Sequence, residues 1–194
     1  MAGTLEVVTG SMFSGKTSEL IRRLRLCMLA KKKVQIFKSY RDNRYKDEAL
    51  VSHDGFELPG FAVRNSADIL RSLDAGTKVV GIDEAQFFDL SLVSVCESLA
   101  NRGLRVIVAG LDLDYRGEPF EIMTHLLARA EKVTKNLAIC SVCGEDAHYS
   151  QLLKADSAER IIVAAADRYE ARCRECFKSP DSAASPAREA ILGN

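Results

Sequence analysis

Residues 10–17, with the sequence GSMFSGKT, hold two glycines, a lysine and a hydroxyl residue at the spacing of a P-loop. In such a loop backbone N–H groups surround phosphate oxygens, Lys16 reaches the β and γ phosphates, and Thr17 offers an oxygen to Mg²⁺. A β-branched run precedes the loop and a helical pattern follows it, which is the context that this loop requires. We therefore predict a site for ATP and Mg²⁺ formed by Gly10, Ser11, Met12, Phe13, Ser14, Gly15, Lys16 and Thr17.

A second signal is the acidic pair Asp83 and Glu84 in the sequence VVGIDEAQFF. In P-loop proteins, an acid at the end of another apolar strand holds the magnesium ion, and we predict this role for Asp83. Glu84 is then the adjacent acid that takes a proton from an acceptor hydroxyl. Adjacent acids at a strand end also occur as merely solvated side chains, but the nearby P-loop favours the functional interpretation.

Two C-x-x-C pairs stand in the last third of the chain, Cys140 with Cys143 and Cys173 with Cys176. Together they offer four thiolates for a tetrahedral zinc site. Such a site leaves no coordination position open, so we predict a structural Zn²⁺ that stabilises a module with little core of its own. A redox-active pair is the alternative, although no thioredoxin-like context surrounds either pair.

Strands that alternate with helices must position these groups. Strands are predicted from apolar, β-branched runs at residues 4–8, 34–38, 78–83 and 104–114. Helices are predicted from the spacing of apolar residues at 16–30, 66–73, 90–103 and 118–132, with Ser66 opening the second of them. This alternation predicts an α/β fold with a RecA-like P-loop core, a mostly parallel sheet and a small C-terminal zinc-binding domain.

The character of the sequence changes after Lys132, where short strand-like and cysteine-bearing segments replace helical patterns. We predict a P-loop domain at 1–135, a zinc-binding domain at 136–178 and a disordered tail at 179–194, which is rich in Ser, Ala and Pro. Residues 40–60 are polar and turn-rich, and we predict a long loop there. Loops of that length in compact domains are usually functional or mobile.

The composition is that of a globular protein: 194 residues, 47% hydrophobic, with 27 basic and 27 acidic side chains. This balance gives no sign of a broad nucleic-acid footprint. No apolar run of about 18 residues and no signal-peptide pattern is present, so we expect a cytoplasmic chain with no membrane partner. Cys27 and Cys96 lie in apolar helical patterns and are predicted to be buried thiols.

Taken together, the motifs resemble those of the thymidine kinases of the cellular and bacterial type, which carry a zinc-bearing "lasso" domain. The resemblance runs in the family's order through GSMFSGKT, DNRY, SHDG, GIDEAQFF, GLDLDYRGEPF, CSVCG and ADRYEARCREC, from Leu5 to Cys176. It implies transfer of the ATP γ-phosphate to the 5′-hydroxyl of thymidine in nucleotide salvage. It also implies a homotetramer that the deoxythymidine triphosphate, dTTP, inhibits by feedback.

The resemblance also implies roles for individual residues. Glu84 corresponds to the catalytic base, Lys16 to the phosphate lysine, and Thr17 and Asp83 to the magnesium-side ligands. On the phosphate side it adds Arg44, which neutralises developing charge, together with Asp42 and Gln86. Around the thymine and sugar it places Met12, Phe87, Leu111, Tyr115, Phe120, Ser150 and Tyr169, and from the lasso Ile162, Val163 and Ala164.

This chain departs from the family pattern at three places. Ala164 and Ala165 stand where two glycines are usual, and a side chain there restricts the backbone. Tyr115 replaces a usual Phe and adds a hydroxyl that needs a partner. The segment Ser150 to Leu152 replaces a Thr followed by a basic residue, which bears on base selectivity.

Two other classes of function remain open at this level. One is a zinc-ribbon P-loop ATPase that acts on nucleic acid, against which the zero net charge and the lack of a basic-aromatic stripe both argue. The other is a catalytically silent relative kept as an interaction module. The intact Lys16, Thr17, Asp83 and Glu84 argue against a silent relative.

Overall fold

The computed structural model describes residues 3–40, 49–51, 57–153 and 168–179. Its strands are β1 (Thr4–Gly10), β2 (Val34–Ser39), β3 (Ala49–Val51), β4 (Glu57–Pro59), β5 (Phe61–Val63), β6 (Val79–Asp83), β7 (Arg105–Gly110), β8 (Lys132–Asn136), β9 (Ala138–Ile139), β10 (Asp146–Ala147), β11 (Tyr149–Leu152) and β12 (Tyr169–Arg172). Its helices are α1 (Lys16–Leu29), α2 (Ser66–Arg71), α3 (Leu92–Asn101) and α4 (Glu121–Arg129), with a 3₁₀ turn at Ala85–Phe87.

Six strands form one sheet in the order β5-β2-β6-β7-β1-β8, and all of its pairings are parallel. The predicted α/β fold with a parallel sheet is therefore confirmed. Because the strands run the same way, the P-loop after β1, the acids after β6 and the loop after β7 all meet at the carboxyl edge. Ligands of open α/β sheets bind at this edge.

Both faces of the sheet are covered, since neighbouring residues of a strand point to opposite sides. Val8 packs with Leu20 and Leu24 of α1 on one face, whereas Val7 belongs to the larger core on the other. That larger core is built with α2, α3 and α4. Strands buried on both sides explain the continuous apolar runs in the sequence. Cys27 and Cys96 are buried free thiols, as predicted, and burial raises the pKa of Cys96 above its usual range.

Three local features add to or correct the sequence interpretation. α2 begins at Ser66 as predicted, and the side chain of Asn65 caps it by accepting the backbone N–H of Asp68. Within residues 40–60, read as a loop, the described parts β3 and β4 form an antiparallel pair. β8, which lies at the predicted end of the P-loop domain, is the edge strand of the core sheet beside β1.

The cysteine-bearing part has two short antiparallel pairs, β9 with β10 and β11 with β12. Its small core consists of alanines and cysteines, namely Ala138, Cys140, Ala147, Ala171, Cys173 and Cys176. The division into domains at 1–135 and 136–178 stays a prediction, as does the tail at 179–194. Among the helices that the structure describes, none is long and apolar enough to cross a membrane.

Candidate active site

The P-loop joins β1 to α1 and depends on two left-handed glycines. Gly10 has φ 138°, and a Cβ there would come within 2.2 Å of the Asn136 carbonyl oxygen. Gly15 has φ 75° and immediately precedes the first residue of α1. L-residues rarely adopt such angles, so both glycines are required by the backbone. Phe13 also has a positive φ, 66°, and its side chain is exposed.

Polar side chains close the P-loop on itself. Lys16 Nζ donates to the Ser11 carbonyl oxygen at 2.6 Å, and Ser14 Oγ donates to the same oxygen at 2.8 Å. The ammonium is therefore held against the loop at the N-terminus of α1. A cation and a helix N-terminus at one place favour an anionic ligand.

Thr17 and Asp83 meet at the carboxyl edge of the sheet. Thr17 Oγ1 donates to Asp83 Oδ2 at 3.1 Å. Burial, and then repulsion from Glu84, raise the pKa of Asp83 to about 7, although Thr17 and Lys16 act in the opposite direction. A divalent cation would compensate a carboxylate buried in this way, and a hydroxyl with a carboxylate is the oxygen donor set that Mg²⁺ prefers. The residues present therefore fit a magnesium ion.

Glu84 follows β6 in a left-handed conformation, with φ 51° and ψ 47°. A non-glycine residue in this region is strained, and such strain clusters at functional sites. The next residues form the 3₁₀ turn, in which Phe87 N–H donates to the Glu84 carbonyl at 3.0 Å. The two neighbouring carboxylates have different partners, since Asp83 accepts from Thr17 and Glu84 accepts from Gln86. Gln86 Nε2 donates to Glu84 Oε2, and Gln86 Oε1 accepts the Leu111 N–H at 3.0 Å.

An aromatic cluster lies where the P-loop meets the cysteine-bearing part. Tyr115 and Tyr169 are buried together, with Met12 and Leu152 packed against them. Ser150 Oγ accepts the Met12 N–H at 3.0 Å, which ties β11 to the P-loop. Four residues expected around the acceptor, namely Met12, Tyr115, Ser150 and Tyr169, are thus brought together.

The turn after β7 presents Tyr115 because Asp114 organises it. Asp114 Oδ1 accepts the N–H groups of Arg116 at 2.9 Å and of Glu118 at 3.0 Å, a typical Asx arrangement. Gly117 supplies the positive φ, 85°. Arg116 Nε donates to the Tyr115 hydroxyl at 3.2 Å, so the extra hydroxyl of this chain has a partner.

The other expected acceptor residues are more dispersed. Phe87 is buried in the 3₁₀ turn, and Phe120 belongs to the large core beneath α4. Leu111 joins the site through its backbone contact with Gln86. Several expected residues lie outside the described part of the chain: Asp42, Arg44, Ile162, Val163, Ala164 and Ala165.

The four cysteines of the two C-x-x-C pairs converge. Their Sγ atoms all lie within 4.8 Å of one another, and those of Cys143 and Cys173 are 3.6 Å apart. A disulfide requires about 2.05 Å. Tetrahedral thiolates about 2.3 Å from a zinc ion stand about 3.8 Å apart, so the cluster fits Zn²⁺.

Comparison with known proteins identifies the family. The family model described as thymidine kinase matches residues 3–177. A thymidine kinase of Rhodothermus sp. (strain ITI 518) is 54% identical over 178 residues, which cover 92% of this chain and 83% of that protein. This chain belongs to the thymidine kinase family. A thymidine kinase of Bdellovibrio bacteriovorus is 49% identical over 176 residues, covering 91% of this chain and 86% of its own.

The similarity to solved structures is weaker than the similarity to these sequence relatives. The Legionella pneumophila ATPase DotB is similar over 75% of this chain and 44% of its own, at 14% identity and a TM-score of 0.47. That likeness adds nothing to the assignment, which rests on the sequence relatives.

In this member of the thymidine kinase family, two contacts of the site were not predicted from the sequence. Leu152 was not expected in the aromatic cluster, although it follows Ser150 by two positions and strand residues two apart share a face. Gln86 was expected on the phosphate side, and its described hydrogen bonds run to Glu84 and Leu111. Contacts between residues distant in sequence leave no local pattern that predicts them.

Proposed function

We propose that this chain transfers the γ-phosphate of ATP to the 5′-hydroxyl of thymidine. The observation that carries the proposal is the family membership, shown by a match over residues 3–177. The geometry supports it, because a phosphate loop and a carboxylate able to accept a proton lie at the same edge of the sheet. An ATP-dependent kinase needs both groups there.

On the donor side, the P-loop binds the phosphates of ATP and Lys16 offsets their charge. Thr17 and Asp83 would hold Mg²⁺, which would supply positive charge to offset that of the phosphates. Arg44 and Asp42 are proposed to approach the transferring group from residues 40–60. Positioning and charge neutralisation supply most of the rate in such reactions.

On the acceptor side, Glu84 accepts the proton of the 5′-hydroxyl as that oxygen bonds to the γ-phosphorus and ADP leaves. The rings of Tyr115 and Tyr169, with Met12 packed against them, are proposed to hold the planar base. The lasso residues Ile162, Val163 and Ala164 are proposed to hydrogen-bond the base through their backbone. Phe87, Leu111, Phe120 and Ser150 complete the proposed acceptor site.

The family resemblance supports further parts of the proposal. The cysteine cluster is proposed to hold a structural Zn²⁺ that shapes the strands bearing Ser150 and Tyr169. Feedback inhibition by dTTP, a homotetrameric assembly and a cytoplasmic location are proposed on the same ground. No nucleic acid or membrane partner is proposed.

The test is a phosphate-transfer assay with ATP and Mg²⁺ against thymidine, deoxyuridine, deoxycytidine and no acceptor. The proposal predicts that 5′-monophosphate forms fastest with thymidine, and that ATP is consumed only slowly without an acceptor. ATP hydrolysis that needs no acceptor and rises on addition of DNA would instead support a nucleic-acid ATPase. Equal rates with all acceptors would contradict the choice of thymidine.

A further inference from the structure

Gln86 is a buried amide whose two ends are both engaged. It is 3% exposed and lies in the 3₁₀ turn directly after Glu84. Its Oε1 accepts the backbone N–H of Leu111 at 3.0 Å, and its Nε2 donates to Glu84 Oε2. The Gln86 side chain thus connects Glu84, directly after β6, with Leu111, directly after β7.

The direction of this amide is determined by chemistry. A backbone N–H can only donate, so the carbonyl oxygen of Gln86 must face Leu111. The amide nitrogen must then face Glu84, whose ionised carboxylate can only accept. A flipped amide would set two donors against each other and two acceptors against each other, at a buried site where unmade hydrogen bonds are costly.

Close packing against Gly110 of β7 also restricts the Gln86 amide. A Cβ on Gly110 would come within 3.0 Å of Gln86 Oε1 and 2.8 Å of Met123 Sδ. The carbonyl of Gly110 is itself fixed by Thr9 Oγ1, which donates to it at 2.9 Å. The absence of a side chain at Gly110 is therefore what allows Gln86 to lie against β7. A side chain locked by packing and by two hydrogen bonds can fix the direction of a third group.

The carboxylate of Glu84 is the group whose direction the Gln86 amide can fix. The Glu84 backbone is left-handed and the residue is half-buried at the start of a short turn, where the Gln86 amide donates to its carboxylate. A general base must lie within hydrogen-bond reach of the proton that it takes. Misplacement of a reacting group by about 1 Å costs about 100-fold in rate.

We propose that Gln86 is a positioning residue, which holds the Glu84 carboxylate in the direction of the acceptor hydroxyl by anchoring it to the Leu111 N–H. This inference rests on the proposed function, in which Glu84 is the base. Gln86 itself touches neither substrate in this role. It acts on the transfer step, and therefore on kcat rather than on the binding of thymidine or ATP.

The test replaces the amide and follows kcat and KM separately. Gln86→Met keeps the length of the side chain but can neither donate to Glu84 nor accept from Leu111. We expect kcat to fall about 10- to 100-fold, with little change in KM for thymidine or ATP. Gln86→Asn keeps an amide but is one methylene shorter, so it cannot bond Glu84 and Leu111 at the same time. We expect it to lower kcat with less loss of stability than Gln86→Met.

A double-mutant cycle separates positioning from a general structural role. If Gln86 acts through Glu84, Gln86→Met in the Glu84→Gln background costs at most about twofold more. Gln35→Met is the matched control, because Gln35 is also buried with both amide ends engaged, by Ser72, Asp74 and Thr77. That variant should lose stability and keep kcat.

Three results would overturn the proposal: unchanged kcat in both Gln86 variants, a rise in KM alone, or losses that multiply in the double variant. If Gln86→Met does not fold, Gln86→Asn decides by the same criteria. Wild-type transfer to thymidine, measured in the same assay, reports on the proposed function alone. Its failure is therefore distinct from a failure of the positioning role.

Discussion

Ser150 shows how a single hydroxyl joins the two halves of the site. It lies on β11 and is 2% exposed, and its Oγ accepts the N–H of Met12 from the P-loop. Met12 in turn packs against Tyr115 and Tyr169. Met12, which lies between the two P-loop glycines, therefore contacts the cluster proposed for the acceptor as well as belonging to the phosphate loop.

Replacing Ser150 by Ala should lower both stability and thymidine affinity. The Met12 N–H loses its acceptor, and an unmade buried hydrogen bond costs about 1 to 3 kcal/mol of unfolding free energy. Because Met12 is part of the acceptor cluster, KM for thymidine rises more than KM for ATP. Denaturant unfolding and steady-state kinetics measure the two effects. Ser94→Ala, on the exposed face of α3, is the control and should change neither; equal behaviour of the two variants would refute the role of Ser150.

At this scale, residue type and local spacing predicted the P-loop and the acidic pair, because their chemistry is contained in a few consecutive positions. The left-handed backbone of Glu84 was not predicted, since nothing in the letters DEAQFF distinguishes it from an ordinary turn. The contact of Gln86 with Leu111 and that of Ser150 with Met12 were not predicted either, because the partners lie 25 and 138 positions apart.

At the scale of elements, one buried carboxylate joins three of them. Glu6 on β1 is 2% exposed and accepts from Arg23 of α1 at 3.0 Å and from Arg105 of β7 at 2.8 Å. Burial alone raises the pKa of Glu6, but the hydrogen bond and charge of Arg105, with the charges of Arg23 and Lys132, outweigh it and lower the pKa. The pairing therefore fixes α1, and with it the P-loop, against the sheet.

Glu6→Gln should destabilise the fold in a pH-dependent way. Breaking a buried ion pair costs about 3 to 5 kcal/mol, and this loss is fully present at pH 7. Because the pKa of Glu6 is lowered on folding, its contribution is present above the unfolded value of about 4.3 and is lost as the pH falls below it. The difference between wild type and variant should therefore shrink in acid, as urea unfolding at several pH values can measure.

The matched control is Glu97→Gln. Glu97 pairs with Arg129 at 3.0 Å on the surface, with both side chains more than 40% exposed. Such pairs contribute about 0 to 1 kcal/mol. Equal losses in the two variants, or a Glu6→Gln loss that does not change with pH, would contradict the account.

The elements themselves were largely predictable from hydrophobic period, since α1 and α3 match their predicted ranges closely. The cap of α2 was not, because Asn65 and Ser66 are both good caps and only the backbone decides between them. The position of β8 beside β1 was not predicted either, because its residues are mostly exposed and polar, as suits an edge strand.

At the scale of the whole molecule, the cysteine cluster is linked to the acceptor site by a short path. Ala171 pairs with Ser150 across β11 and β12, and Cys173 follows two residues later. Among the described residues of this part, the buried core consists of alanines and cysteines, which offer little apolar area to hold the strands together. A bound metal would therefore support the strands that carry Ser150 and Tyr169.

Loss of zinc should affect the two substrates differently. We expect one zinc per chain, and expect chelation or Cys143→Ser to remove it and abolish thymidine binding while ATP binding persists on the core sheet. Metal analysis with calorimetry of each substrate measures this. Val142→Ser, an exposed position between the same cysteines, should keep both metal and binding. Full thymidine binding by the zinc-free chain would contradict the expected role.

The fold class was predictable because the alternation of strands and helices extends over the whole core. The convergence of the four thiols was predictable from their paired spacing. How the cysteine-bearing strands meet the P-loop was not predictable, because that contact is a property of the assembled molecule.

The most direct test of the account is single-turnover transfer from γ-labelled ATP to thymidine, by wild type and by Glu84→Gln. We predict label on the 5′-oxygen of thymidine with wild type, and a transfer rate at least about 100-fold lower in the variant. Thymidine binding by the variant should be nearly unchanged, and the exposed Glu118→Gln should transfer at the wild-type rate. A Glu84→Gln rate close to that of wild type, or label released only as inorganic phosphate, would contradict the account.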